Sequence, residues 1–123
     1  MRSFLSASPS NAAIKARVVD MFTQIIQEVD PTKGTLLAHL FQERVISMDM
    51  HQRLKNLTLF PTSIASCEQL LMELLKSTNR TAFVALREGL MDEYHWIVEQ
   101  IDESAQLSMT FLIVLLVRKY NIL

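Results

Sequence analysis

Cys67, His39, His51 and His95 are the residues of this 123-residue chain with the most reactive side chains. A thiolate attacks a carbonyl when a histidine takes its proton, and imidazoles with carboxylates hold transition metals. Neither arrangement is set up by the spacing here. Cys67 falls on an apolar stripe with Leu71 and Leu74. That places the thiol in the core, whereas a reactive thiol needs accessible, electropositive surroundings. The three histidines fall on three different predicted helices in no metal-ligand spacing, and read as ordinary surface or boundary residues. The chain has two glycines and no phosphate-cradling loop or Ser-centred nucleophile elbow. A single Cys excludes an intramolecular disulfide and a Cys-rich zinc site. The sequence therefore predicts no enzyme, no metal and no cofactor, and leaves recognition as the class of function.

The elements that would present a recognition surface are helical. Residues 3–11 are Ser-rich and read as a lead-in, with Ser10 or Asn11 as an N-cap. Ile14, Val18, Met21, Phe22, Ile25, Ile26 and Val29 then recur at steps of three and four, one face of a helix running to Glu28. Asp30-Pro31 stops it, because the residue before proline is biased away from the α region. A second helix is predicted from Thr32 with Leu36, Leu37, Leu40 and Phe41 inward, followed by a buried Val45-Ile46 connector. Ser47 caps a third with Met50, Leu54 and Leu57 inward. Pro61 opens a fourth, lined by Ile64, Cys67, Leu70, Leu71, Leu74 and Leu75. Thr78 or Asn79 caps a fifth carrying Phe83, Leu86 and Leu90, and Asp92 opens a sixth with Trp96, Ile97 and Ile101 inward. Met21, Met50 and Met72 read as core filler, with a Met-rich binding groove as the alternative. Short connections make neighbouring helices antiparallel.

Charge is unevenly spread. Residues 1–87 carry ten Lys/Arg against seven Asp/Glu, residues 88–103 carry six acids and no base, and Arg118 and Lys119 close the chain. The net of −1 argues against a nucleic-acid binder. The acidic stretch is either a solvated helix face or a feature that steers a charged partner. Asn56-Leu57-Thr58 and Asn79-Arg80-Thr81 match the glycosylation sequon. They are discounted because the first ten residues lack the long apolar core of a secretory signal. The lone Cys fits a reducing, cytoplasmic setting.

Several of these segments together resemble caspase recruitment domains. Leu36-Leu37-Ala38-His39-Leu40-Phe41-Gln42-Glu43-Arg44-Val45-Ile46-Ser47-Met48-Asp49-Met50 is similar to that family's second-to-third helix segment: a Leu pair, a charged turn, then Ile, Ser/Thr, any residue and an acid. Leu70-Leu71-Met72-Glu73-Leu74-Leu75 looks like its fourth-helix Leu run, and Ala82-Phe83-Val84-Ala85-Leu86-Arg87-Glu88 like its fifth helix. Tyr94-His95-Trp96-Ile97-Val98 stands where members carry a polar or aromatic residue and then an apolar pair. The resemblance covers about residues 11–103 and is nearest to the prodomains of initiator caspases, without the Cys signature of the protease itself.

The resemblance implies an all-α, six-helix antiparallel Greek-key bundle of the death-fold superfamily, a fold also shared by death and death-effector domains. It implies a module that binds another such domain, in an initiator caspase or an adaptor, with self-association as a second mode, and that regulates apoptosis or innate immune signalling as adaptor, decoy or isolated prodomain. In the family, one common contact pairs basic residues of helices one and four with acids of helices two and three. Lys15 and Arg17 match the basic side, and Glu43 and Asp49 the acidic side, with Asp30 as an addition. Helix four departs from the pattern, reading Thr62, Ser63 and Ser66 where several relatives have Arg, and Arg53 and Lys55 are the substitutes.

The last segment is not accounted for by the resemblance. Residues 104–117 carry no charge and end in Leu-Ile-Val-Leu-Leu-Val. As a helix they span about 21 Å, short of the roughly 30 Å hydrocarbon core of a bilayer. Three readings stand: an extra C-terminal helix packed on the bundle, a tail that touches a membrane, or a sticky end left by truncation. The expected organisation is a lead-in (1–10), a helical bundle (11–103) and an apolar tail (104–123). The alternative function is that of a small helical membrane-associated protein acting through that tail.

Overall fold

The computed structural model describes the backbone of residues 9–120 and the side chains of that span other than 104–115. It is all-helical: among the described residues there are seven helices and no strand. They are α1 (Asn11–Asp20), α2 (Phe22–Glu28), α3 (Leu36–Gln42), α4 (Met48–Leu54), α5 (Ser63–Lys76), α6 (Ala82–Leu90) and α7 (His95–Tyr120). The lead-in residues 1–8 and residues 121–123 lie outside the described span.

The first predicted helix is two. Its stripe is continuous, with Ile14, Val18, Met21, Ile25 and Val29 all buried, yet the helix breaks at Met21. No Gly or Pro marks the place; the break is tertiary. The first half packs on α6 and α7 while the second packs on α5, so the chain axis turns between two sets of neighbours. Ser10 caps α1, its Oγ accepting from Ala13 N–H at 3.2 Å. Asn11 has a different task. Its Oδ1 accepts from Phe83 N–H at 2.8 Å and Val84 N–H at 3.1 Å, capping α6 from across the bundle.

α4 starts at Met48 behind Ser47 as expected, but the other remaining helices start later than the sequence suggests. The second begins at Leu36, not Thr32, because 31–35 form a turn. Asp30 accepts from Thr32 N–H and Oγ1–H, and Gly34 takes the left-handed conformation at φ 71°. Thr35 N–H and Oγ1–H donate to the Glu93 carboxylate, which ties the start of α3 to the loop after α6. α5 opens at Ser63 rather than at Pro61, with Thr62 as its cap accepting from Ala65 N–H at 3.1 Å. Asn79 holds a turn by accepting from Thr81, and α6 follows from Ala82. Asp92 and Glu93 precede α7, which starts at His95.

The core is one cluster drawn from all seven helices, centred on Phe83, Leu36, Leu37, Leu40, Leu70, Leu71, Leu74, Leu86 and Leu90. Five residues expected inside are at the rim. Leu57 is 69 % exposed because α4 ends at Leu54 and 57–59 turn outward. Ile64 is exposed in the first turn of α5, where the buried Ser66 takes the inward position and donates to Leu54 O at 2.7 Å. Phe41 lies beside the His51 ring at the mouth of the α3–α4 corner, and Met72 sits on the outer face of α5. Trp96 yields the inward face to Ile97, Val98 and Ile101, and its indole N–H reaches the Glu28 carboxylate at 3.1 Å.

The expected boundary between bundle and tail is not a break in structure. α7 continues through it to Tyr120, so the tail is no separate extra helix but the continuation of the sixth predicted one. Whether the apolar side chains of 104–115 pack on anything lies outside the described residues. No helix among the described residues is long and apolar enough to cross a membrane.

Candidate functional site

The charged residues singled out above divide into engaged and free. Arg17 is partly buried, its guanidinium 3.4 Å from Asp20 on the next turn. Its Nε is enclosed without a partner among the described residues. Lys15, two residues away, is exposed. Asp30 is committed to its own turn, with Lys33 at 4.0 Å and its backbone N–H donating to the Tyr94 hydroxyl at 3.1 Å. Arg53 lies on the same short helix as Asp49 and Lys55 is that helix's C-cap, and Arg53 sits 4.0 Å from Asp49 one turn back. The structure therefore places the substitute basic pair beside an acid rather than beside Lys15.

Glu43 and Asp49 are exposed and flank the connector between α3 and α4. Asp49 lies in the first turn of α4, where the helix dipole favours an acid, and Ser47 caps that helix through Met50 N–H at 3.0 Å. α3 ends with Arg44 in the left-handed conformation at φ 60°, a position that usually takes glycine. Val45 N–H then returns to Leu40 O at 2.9 Å. The tight reversal opens a cleft lined by Phe41, Gln42, Arg44, Val45, Ile46 and Ser47. Phe41, part of that lining, and Met48, next in the chain after Ser47, expose apolar surface. An apolar centre bordered by charge is the usual anatomy of a protein interface.

Of the six acids in residues 88–103, three face intramolecular partners. Asp102 accepts two hydrogen bonds from Arg87, at 2.8 and 2.6 Å, and this bond is the main cause holding the guanidinium pKa above its ordinary value. Glu93 serves Thr35, and Glu88 lies 3.6 Å from His39 Nε2. Asp92, Glu99 and Glu103 are exposed.

Cys67 is buried, with Sγ 3.9 Å from Ile25 O, and burial first, then the Asp30 charge, pushes its pKa up to about 12. A thiol so placed is no nucleophile. Burial, then Lys55, lowers the His51 pKa. One cluster escaped the reading of the sequence. A nitrogen of His39 and carboxylate oxygens of Glu43 and Glu88 lie within 4.8 Å of one another. The four-residue step from His39 to Glu43 was visible on one helix, but Glu88 comes from α6 and no local signal pairs it with them.

No family model, no curated protein and no solved structure matches the chain.

Proposed function

We propose that the chain is a homotypic recruitment module of the caspase recruitment type, binding another such domain rather than catalysing a reaction. The observation that carries this reading is the α3–α4 corner, where exposed Phe41 and Met48 border a cleft and Glu43 and Asp49 supply the charge. Its occupant is the basic face of a partner recruitment domain, the counterpart of the Lys15 face here. Lys15 sits on α1, which packs on α6 and α7, whereas α3 and α4 pack on each other and on α6 and α5. Unlike surfaces on separate flanks favour head-to-tail contact, and opposite charges set encounter rate and register.

The finer fold assignment rests on the same argument. With α1 and α2 counted as one interrupted helix, six helices remain in the order the resemblance implies. The pairings α2 with α5, α1 with α6 and α7, and α3 with α6 accord with an antiparallel Greek-key bundle. A cytoplasmic setting accords with the free Cys67 thiol.

The test is a binding titration of the full chain against a set of initiator-caspase and adaptor recruitment domains at 50 and 300 mM salt. Saturable binding to at least one, weakened by salt, is expected, with Glu43→Lys and Asp49→Lys each weakening it while helicity by circular dichroism stays unchanged. Lys15→Glu should weaken binding to a partner that offers its acidic corner. Absence of binding across the set, or charge reversals at the corner that bind like the parent chain, refutes the proposal.

A further inference from the structure

We infer that His39, Glu43 and Glu88 form a binding site for a divalent transition-metal ion of the zinc class, a property separate from the recruitment reading. Three donor groups of the right chemistry converge there from two helices, within 4.8 Å of one another. In a tetrahedral zinc site with bonds of about 2.0–2.2 Å, neighbouring donor atoms are roughly 3.4 Å apart. His39 Nε2 and Glu88 Oε2 already stand at 3.6 Å. Glu43 and Glu88 are exposed, so rotation about their side-chain bonds closes the remaining gap without moving backbone. A water completes a set of one imidazole and two carboxylates.

Two independent features favour a ligand over a chance meeting of side chains. His39 Nε2 is enclosed and makes no hydrogen bond within 3.5 Å among the described residues, the Glu88 carboxylate facing it at 3.6 Å. A buried polar nitrogen without a partner carries a desolvation cost that a metal bond would remove. The second feature is Gly89, in the last turn of α6. A Cβ there would stand 2.7 Å from Leu36 Cδ1 and 3.2 Å from His39 Cδ2. The absence of a side chain at Gly89 lets α6 approach α3 closely, with Leu36 and the His39 imidazole packed against it beside Glu88. The cluster also lies at the C-terminal end of α3, where the helix dipole favours a cation.

The ion would bridge α3 to α6, and it would occupy Glu43, one of the two acids of the corner described above. The experiment is a calorimetric titration of the full chain with Zn²⁺ in a non-chelating buffer, with thermal unfolding at matched metal concentrations and the visible spectrum of the Co²⁺ form. One equivalent should bind, raise the unfolding midpoint and give the absorption of tetrahedral Co²⁺. His39→Ala should weaken binding more than about a hundredfold, beyond the roughly 10–100-fold loss expected for an outer-shell partner alone. Glu43→Gln combined with Glu88→Gln, both at exposed positions, should do the same and keeps the test valid if the His39 variant fails to fold. His95→Ala, at an exposed histidine outside the cluster, should bind like the parent chain. No Zn²⁺ binding by the parent chain overturns the inference, as does binding that survives both the His39 and the double Glu substitution.

Discussion

Asp102→Asn isolates what holds the end of the bundle to α7. Arg87 and Asp102 meet through two parallel hydrogen bonds, 2.8 Å from Nε and 2.6 Å from the terminal amino group. The Arg87 side chain is 14 % exposed and that of Asp102 30 %, so the pair is neither a surface bridge nor a fully buried one. Surface pairs contribute about 0.2–1 kcal/mol, whereas removing one partner of a buried pair costs about 3–5 kcal/mol. The amide would keep one acceptor oxygen but turn a donor toward the guanidinium and leave it without a counter-charge. A loss of about 2 kcal/mol follows, between those limits. At roughly 4 °C per kcal/mol for a chain of this length, the midpoint of thermal unfolding should fall by about 8 °C. Circular dichroism at 222 nm measures it, with a urea titration to establish that the slope is unchanged and that the effect is one of stability. Because the pair is largely shielded, the loss should persist at high salt. Arg87→Met and the double variant complete a cycle whose coupling term belongs to the pair itself. A loss below about 0.5 kcal/mol, or one that disappears at high salt, would mean that the pair behaves as a surface bridge and the burial argument is wrong.

Two further perturbations test the core and the caps. Cys67 has a folded pKa of about 12 against an ordinary 9.0. Its contribution is whole below 9.0, where the thiol is neutral in both states, and it declines above that as only the unfolded chain ionises, until the folded thiol titrates too. By pH 10 the parent chain should lose about 1.4 kcal/mol more than Cys67→Ala does, measured by urea unfolding at pH 8 and 10; parallel losses in the two proteins would refute it. Asn11→Ala removes the acceptor that serves Phe83 and Val84 N–H and should cost about 1–2 kcal/mol, whereas an ordinary exposed site would be nearly neutral. Hydrogen exchange should quicken first at those two amides.

The stripes were legible because helix periodicity and burial are the same signal. Ile14, Val18, Met21, Ile25 and Val29 are named by spacing alone, and all five are buried. So are Leu36, Leu37, Leu40, Leu54, Leu70, Leu71, Leu74, Phe83, Leu86 and Leu90. What spacing does not carry is which groups terminate helices across long separations. Asn11 sits where a local N-cap is plausible, yet Ser10 takes that role, and Asn11 satisfies amides 72 and 73 residues away. Glu93 looks like a first-turn acid of the next helix and instead closes the turn at Gly34 and Thr35, 58 residues back. The apolar misplacements share another cause. Ile64 and Leu57 stand beyond or at the end of an element, where the periodic face outruns the neighbour that would cover it.

The same distinction governs the candidate site. A run of six acids read along the chain looks like one electrostatic feature, but steering depends on charge that is not already matched nearby. Asp102, Glu93 and Glu88 each lie within 3.6 Å of a donor or of an imidazole inside the molecule. They contribute to the fold before they contribute to a partner. Glu43 and Asp49 are only two charges, but they stand at a sharp reversal enforced by Arg44 in a left-handed conformation costing about 1–2 kcal/mol, beside exposed apolar surface. Exposed apolar groups at one corner are unfavourable for an isolated domain, and under the proposed recruitment function a partner would cover them. Arg87 and Glu88, adjacent in the segment that resembles the fifth helix of the recruitment family, show the opposite assignment. One is held by Asp102 and the other faces His39, so both charges in that segment are matched within the molecule.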